Sequence, residues 1–503
     1  MLDFLTSITV RGLDILSTLF VLAVGFAFFL FVIFYLIDSN QSQSAVRRNF
    51  PVVGRFRDIF IRMGEFFRQY FFALDREELP FNRAERDWIY KSAKGHDNTQ
   101  PFGSTRSLAP PGTPIFVNSA FPPLDDPSEA PVSVTFGSGS SNPYTITSII
   151  NVSGMSFGAL SKPAIQALSY GAAQAGCWLN TGEGGLSPYH LEGGCDIVFQ
   201  IGTAKYGVRD DKGGLWDEKL KEIADRPQVK MVEIKLAQGA KPGKGGMLPG
   251  DKVTAEIADI RGIPVGEDSI SPNRHPEAGN VEELLDFIHR VRSVSGLPTG
   301  IKAVVSSAFW LEELFRAIHV RGLSSAPDFI TVDGGDGGTG AAPMALMDNV
   351  GLGLREALPI TIDTLKKYGL RERIRIIASG KLITPAEVAW AYCAGADSVN
   401  TARGFMFSIG CIQAMSCNTN NCPTGITTHK EHLQNGLVPK TKAGGVRNFV
   451  EKMHKDVSMI AHSCGVHHPR ELSRHHVRIV QPNGRSTRMD ELWPEALSAR
   501  RLP

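Results

Sequence analysis

From residue 144 onward, short runs rich in Val and Ile alternate with helical stretches, and this alternation constrains the chain more than any other feature. Apolar runs of strand length separated by amphipathic helices are the signature of parallel strands under covering helices. Strands are expected at Ile146–Val152, near Cys177–Leu179, and at Asp196–Ile201, Lys230–Lys235, Gly300–Val305, Phe329–Val332, Ile374–Ala378 and Asp397–Asn400. Helices are expected at Ala159–Ala175, Val281–Val294, Ala308–Val320 and Pro385–Ala394. Roughly eight such units in about 280 residues suit an α/β fold of the (β/α)8 TIM-barrel type. An open, doubly wound sheet is the alternative, but no G-x-G-x-x-G follows the first strand.

In a barrel the chemistry sits beyond the C-terminal ends of the strands. Those positions hold Ser153–Gly158, Asn180–Gly185, Lys235–Gly246, Asp333–Gly340, Ser379–Lys381 and Arg403–Gly404, nearly all glycine-rich. Glycine lets backbone approach a ligand closely, and loops after strands seven and eight commonly grip a phosphate with N–H groups. Lys302 lies on the fifth strand, where an ammonium could face the polar edge of a ring system. Its bland reading is a lysine of a barrel layer in a salt bridge.

Three cysteines follow the eighth unit as C-x5-C-x4-C: Cys411, Cys417 and Cys422, with Pro423 next. Three thiolates in so short a span suit a multi-iron site. A zinc site would want a fourth ligand from a second C-x2-C or a His pair. The remaining four cysteines are scattered and the total of seven is odd, which argues against a disulfide framework and for a reducing compartment. The net charge of +2 gives no reason to expect a nucleic-acid partner.

Ile15–Ile37 is a run of 23 residues without a charge, long enough to cross a bilayer as a helix. Arg11 precedes it, while Arg47, Arg48, Arg55 and Arg57 follow closely, which places the bulk of the chain on the cytoplasmic side of a single-pass membrane anchor. Residues 38–50 read as a polar linker. Residues 51–75 interleave arginines with aromatic residues, as in an amphipathic helix on an anionic leaflet or an ordinary helix packed on the domain. A short helix is expected over Arg83–Ser92, and residues 97–143, rich in Pro, Ser and Gly, as an extended wrap. The division that follows is an N-terminal segment 1–14, a span 15–37, a juxtamembrane region 38–143, a barrel 144–430 and a C-terminal extension 431–503 with a solvated basic face.

Taken together, SGMSFGALSKPA (153–164), NTGEGG (180–185), FQIGTAKYGV (199–208), KLAQGAKPGKGGMLPGDKV (235–253), ISP (270–272), DGGDGGTGAAP (333–343) and GCIQAMSCNTNNCPTG (410–425) resemble the FMN-binding domain of the glutamate synthase family. The resemblance implies FMN on the barrel and a [3Fe–4S] cluster on Cys411, Cys417 and Cys422. It implies Ser379, Gly380 and Gly404 at the flavin phosphate, and Met155, Ser156, Asn180, Gln238 and Lys302 around the ring. Glu183, Gln238 and Lys302 would be catalytic, with Lys241, Lys244 and Glu183 facing the substrate. The implied reaction is reduction of 2-iminoglutarate, formed from 2-oxoglutarate and ammonia, to glutamate. The chain departs from the family in having no cysteine before Cys177 and only a short stretch after Gly425. An external electron donor, and ammonia from solution or a separate amidotransferase, are therefore expected. The ISP motif continues Asn273-Arg274-His275-Pro276, a departure that keeps two other readings open: an N-alkylglutamate-forming enzyme using an amine, or a membrane electron-transfer component without its own substrate.

Overall fold

The computed structural model describes residues 2–41, 44–124 and 132–494. The chain divides into two compact units, Met1–Ala84 and Glu85–Pro503.

In the first unit a single helix runs from Leu2 to Asn40, so residues 2–14 are continuous with the apolar span. Its segment Arg11–Asn40 is long and apolar enough to cross a membrane. The expected linker is short helix and turn, Ala45–Asn49, with residues 42–43 outside the described part. A third helix, Val53–Phe67, continues as a π-helical turn, Arg68–Phe72.

The second unit is a closed barrel of eight parallel strands. These are β1 (Ile150–Val152), β2 (Leu179–Asn180), β3 (Ile197–Ile201), β4 (Val229–Lys235), β5 (Thr299–Ala303), β6 (Phe329–Asp333), β7 (Arg375–Ser379) and β8 (Ser398–Thr401). The ring shuts where Val399, Asn400 and Thr401 pair with Ile150, Asn151 and Val152, which excludes the open sheet. β3, β5 and β6 are buried along their whole length, as a parallel sheet covered on both sides requires. Helix Lys162–Ala175 starts on the Ser161 cap with Pro163 in its first turn and ends at Gly176 in the left-handed region.

Two expectations are corrected. The run Ile146–Val152 is not one strand: Tyr144–Ile146 ends a hairpin with Val134–Phe136, and the barrel begins at Ile150. That hairpin, inside the expected wrap, plugs the N-terminal end of the barrel, where Phe136 lies edge-on to Trp178 and Phe329 at 5.7 and 5.8 Å. The rest of the wrap includes a strand, Pro114–Phe116, paired with Val477–Val480 near the C-terminus; residues 125–131 fall outside the described part. Nor are the described residues 431–494 a solvated extension. Helix Pro439–Ser463 buries Ala443, Val446, Phe449, Val450, Met453, Val457 and Ala461. It serves as the barrel's eighth helix, pressed on Lys162–Ala175 so closely that a Cβ on Gly171 would fall 2.4 Å from Val446 Cβ.

Phe136→Ala empties the centre of the plug and is expected to cost about 3–5 kcal/mol. Thermal unfolding of the purified protein checks it; a midpoint unchanged from the parent would mean that the barrel does not depend on this hairpin.

Candidate functional site

The rim at the C-terminal ends of the strands collects buried charge. Lys302, midway along β5, stands 3.3 Å from the Asp333 carboxylate at the end of β6. Asp333 also accepts hydrogen bonds from Ser379 Oγ (2.8 Å) and from the Gly239 N–H (2.9 Å). Burial works against the Lys302 ammonium, but Asp333 and then Glu233 outweigh it and raise Lys302 above the ordinary lysine value. Glu233, inside the barrel on β4, accepts from Asn180 Nδ2 (2.8 Å), Gln200 Nε2 (2.7 Å) and Thr331 Oγ1 (2.5 Å). Asn180 turns its oxygen to the Gly182 N–H at 2.9 Å and so shapes the loop after β2.

A second group lies on the loops after β2 and β4. Glu183 pairs with Lys235 at 2.8 Å, and Lys235 also donates to Gln238. Two glycines make room for the carboxylate side chain: a Cβ on Gly246 would lie 2.5 Å from Glu183 Oε1, and one on Gly202 2.6 Å from Glu183 Cβ. Burial pushes the Glu183 carboxyl up, but Lys235, then Lys241 and Arg261, hold it at about 2. Lys241 is brought down to about 8 by burial, in spite of Glu183. Lys244 is exposed on the same loop and its charge is felt at Lys241.

The remaining rim positions present backbone. Met155 is buried; its N–H donates to Asn180 O at 3.0 Å and its carbonyl accepts from His190 Nε2 at 2.8 Å. Ser156 meets Gly182, whose Cβ would fall 2.7 Å from Ser156 N. Gly380, at φ 130°, brings the loop after β7 against Gly334, while a Cβ on Gly239 would fall 2.1 Å from Gly334 O. Gly404 has a packing reason for lacking a side chain, since a Cβ there would lie 2.9 Å from Phe449 Cζ.

The cysteine loop lies beyond β8. Gln413, Met415 and Asn420 all adopt left-handed backbone, which coils the loop on itself. Buried Lys252 donates to Ala159 O (2.9 Å) and Cys417 O (3.3 Å), and Ser161 Oγ donates to Gly425 O (2.6 Å). These bonds tie the loop to the loop after β1. Burial pushes Cys411 up to about 11 and raises Cys417. Burial acts upward on Cys422 as well, but hydrogen bonds with Thr424 and Thr427 outweigh it and leave that thiol below its ordinary value. The three thiols feel one another's charge, yet among the described residues no three Cys, His, Asp or Glu side chains are gathered as the ligands of a single ion. Arg403, largely buried, faces Cys417, Cys411 and Asp333.

With this geometry in hand the chain can be placed among known proteins. A family model described as the conserved region in glutamate synthase matches residues 126–467. The chain belongs to this family. It is 39% identical to the glutamate synthase large subunit-like protein YerD of Bacillus subtilis, over 93% of this chain and 96% of that one. It is 34% identical to an archaeal glutamate synthase (NADPH) of Methanocaldococcus jannaschii, over 63% of this chain and 59% of that one. Among solved structures, a mutant flavocytochrome b2 with pyruvate bound superposes at a TM-score of 0.44 and 13% identity, covering 78% of this chain and 82% of that one. The glutamate synthase-like chain is accordingly an oxidoreductase of the class acting on CH–NH2 donors.

Of the residues singled out by sequence, Met155, Ser156, Glu183, Gln238, Lys241 and Gly380 lie on the strand-end loops, while Asn180 and Ser379 are the last residues of β2 and β7 and Lys302 lies within β5. Lys244 is solvent-exposed, and Gly404 sits under Phe449. Sequence reasoning gave Glu233 no place in the site, and read Gln200, Lys235, Asp333 and Arg403 only as members of loops and motifs, without the charge-holding contacts they make. A lone glutamate in the apolar strand VKMVEIK was the available signal for Glu233.

Removing Lys235 tests the electrostatics. The parent Glu183, held at about 2 against an ordinary value of 4.5, contributes stability that is complete above pH 4.5 and fades as pH falls toward 2. Lys235→Met moves that carboxyl up, costs about 3–5 kcal/mol at neutral pH, and so leaves the variant with less stability to lose as pH falls from 4.5 toward 2. Thermal unfolding from pH 2 to 8 reads the difference; parallel curves for parent and variant would remove Glu183 from the account.

Proposed function

We propose that this chain is a membrane-anchored, glutamate synthase-type oxidoreductase that reduces 2-iminoglutarate, formed from 2-oxoglutarate and ammonia, to glutamate with electrons from an external donor. The observation that carries this reading is the rim itself. Buried Lys235, Lys241 and Lys302 meet the carboxylates of Glu183, Glu233 and Asp333 at the mouth of a glutamate synthase-family barrel.

The residues fit a flavin mononucleotide. Gly182, Gly239 and Gly380 pack backbone against backbone where side chains would clash, which leaves N–H groups and carbonyls rather than bulky side chains to meet a ligand. Ser379, Gly380 and Gly404 would hold the phosphate, with Met155, Ser156, Asn180, Gln238 and Lys302 along the ring. The cysteine loop fits a [3Fe–4S] cluster on Cys411, Cys417 and Cys422. A cluster takes one thiolate on each iron, so its ligands stand farther apart than those of a single ion, and Arg403 and Lys252 supply positive charge beside the thiolates. Bound there, the flavin supplies hydride and the cluster one-electron transfer.

The chain's own groups would then do four things. Lys302 presents a fixed positive charge to the electron-rich side of the site, with Asp333 and Ser379 holding it in place. Lys241 and Lys244 offer ammonium groups to a dicarboxylate substrate, Lys241 at a pKa of about 8 and so able to hold or release a proton near neutrality. Glu183 remains ionised and favours a positively charged iminium carbon over the neutral ketone. Gln238, accepting from Lys235, orients the loop that carries Lys241. The helix Arg11–Asn40 would anchor the enzyme, and the arginines that follow it favour a cytoplasmic catalytic domain.

Mass-spectrometric detection of glutamate from 2-oxoglutarate, ammonium and a reduced viologen donor tests the reaction. No product from protein with full flavin and iron content would overturn the substrate assignment. Lys302→Gln is expected to lower turnover by about 10²–10³ while flavin stays bound. Cys417→Ser is expected to lose iron and the brown absorbance; unchanged iron content would remove Cys417 as a ligand.

A further inference from the structure

Helix Val53–Phe67 and the turn Arg68–Phe72 carry an apolar stripe at helical spacing: Phe56, Ile59, Phe60, Met63, Phe66, Phe67, Tyr70 and Phe71. All eight are exposed, Phe60 to 65% and Phe71 to 66%, in a chain whose barrel buries residue after residue completely. A contiguous stripe of this size left in water would forfeit roughly 1.5–3 kcal/mol per large side chain, so it marks a surface that something covers. On the helix wheel Arg55 and Arg62 run along one border of the stripe and Arg57 along the other, and Arg57 and Arg62 are exposed.

The angle between this helix and the long apolar one is built in. Asp38, only 1% exposed, sits near the end of the long helix. Its carboxylate accepts from Arg55 Nε (2.8 Å), Arg55 NH2 (2.8 Å) and the Val52 N–H (3.0 Å). Val52, a β-branched residue, is held at φ 63°, a conformation that persists only when its surroundings impose it. The Arg55 guanidinium also lies 4.3 Å above the Phe34 ring, and Gly54 packs on the Arg47 backbone, where a Cβ would be 3.0 Å from Arg47 Cα. A short, locked corner thus joins an apolar helix long enough to cross a bilayer to an amphipathic one bordered by arginine.

We propose that residues 53–72 lie in the plane of an anionic bilayer surface, with the aromatic stripe among the upper acyl chains and the arginines at the headgroup phosphates. The Asp38 corner fixes that pose relative to the membrane-spanning helix. This rests on the membrane anchor proposed above. The occupant is lipid because the Asp38 corner holds the start of the stripe's helix against the end of the segment that would already be in the bilayer, and because its borders carry the charge that complements acidic headgroups.

The test uses the full chain in bilayers of phosphatidylcholine and phosphatidylglycerol brominated either near the headgroup or near the chain end. Tryptophan fluorescence of Phe60→Trp and Phe71→Trp is compared with that of the parent and of Phe26→Trp, within the long apolar helix. The expected result is at least twofold stronger quenching of the added signal by shallow than by deep bromine at positions 60 and 71, with the reverse at 26. Quenching at 26 but not at 60 and 71 overturns the in-plane helix and leaves the anchor standing. Absence of quenching at all three overturns the anchor itself. An unquenched stripe in a particle with the mass of a dimer would assign that face to a second copy of the chain, against the proposal. Equal quenching at 60 with and without phosphatidylglycerol would overturn the role given to the arginines.

Discussion

A lysine ammonium inside a barrel must be matched by negative charge, because the interior cannot solvate it. Lys302 meets this condition through Asp333 and Glu233, and the matching spreads around the rim. Glu233 is shared with Asn180, Gln200 and Thr331, and Asp333 with Ser379 and Gly239, so strands two to seven are tied to one electrostatic network. The loops after β2 and β4 repeat the arrangement with Glu183, Lys235 and Lys241. Removing Lys302 or Lys235 leaves a buried carboxylate without its nearest cation. The site's chemistry and the barrel's integrity therefore depend on the same contacts.

Much of the barrel was legible because its strands are runs of Val and Ile with sharp ends, and burial on both faces demands such runs. The plug and the eighth helix were not. Val134–Phe136 contributes three residues within a stretch of Pro, Ser and Gly, and its meaning comes from Trp178 and Phe329, distant in sequence. Pro439–Ser463 reads as basic because its lysines and arginines are many, while its buried stripe is narrow and relies on Gly171 of another helix to come close. In the site, motif residues that present backbone were readable as glycine-rich loops. The partners that hold charge, Glu233 and Asp333, were not, since their role appears only once neighbouring strands are side by side.

The cysteine loop illustrates the same limit differently. Spacing alone groups Cys411, Cys417 and Cys422, but their surroundings depend on left-handed backbone at Gln413, Met415 and Asn420, residue types that do not advertise it. Their surroundings also depend on Lys252 and Arg403, which approach from other segments. The loop is thus stitched to the loop after β1 by Lys252 and Ser161.

The hairpin at the foot of the barrel has a consequence for traffic. With Phe136 wedged against Trp178 and Phe329, the cylinder is stoppered at one end. Among the described residues the barrel's other end is the charged rim, and substrate and product would share it as their doorway. A product must leave by the route the next substrate enters, and any molecule parked at that doorway blocks both directions at once. In such a one-door vessel, product escape and substrate entry are competing events, and the lysines at the threshold set the toll for each.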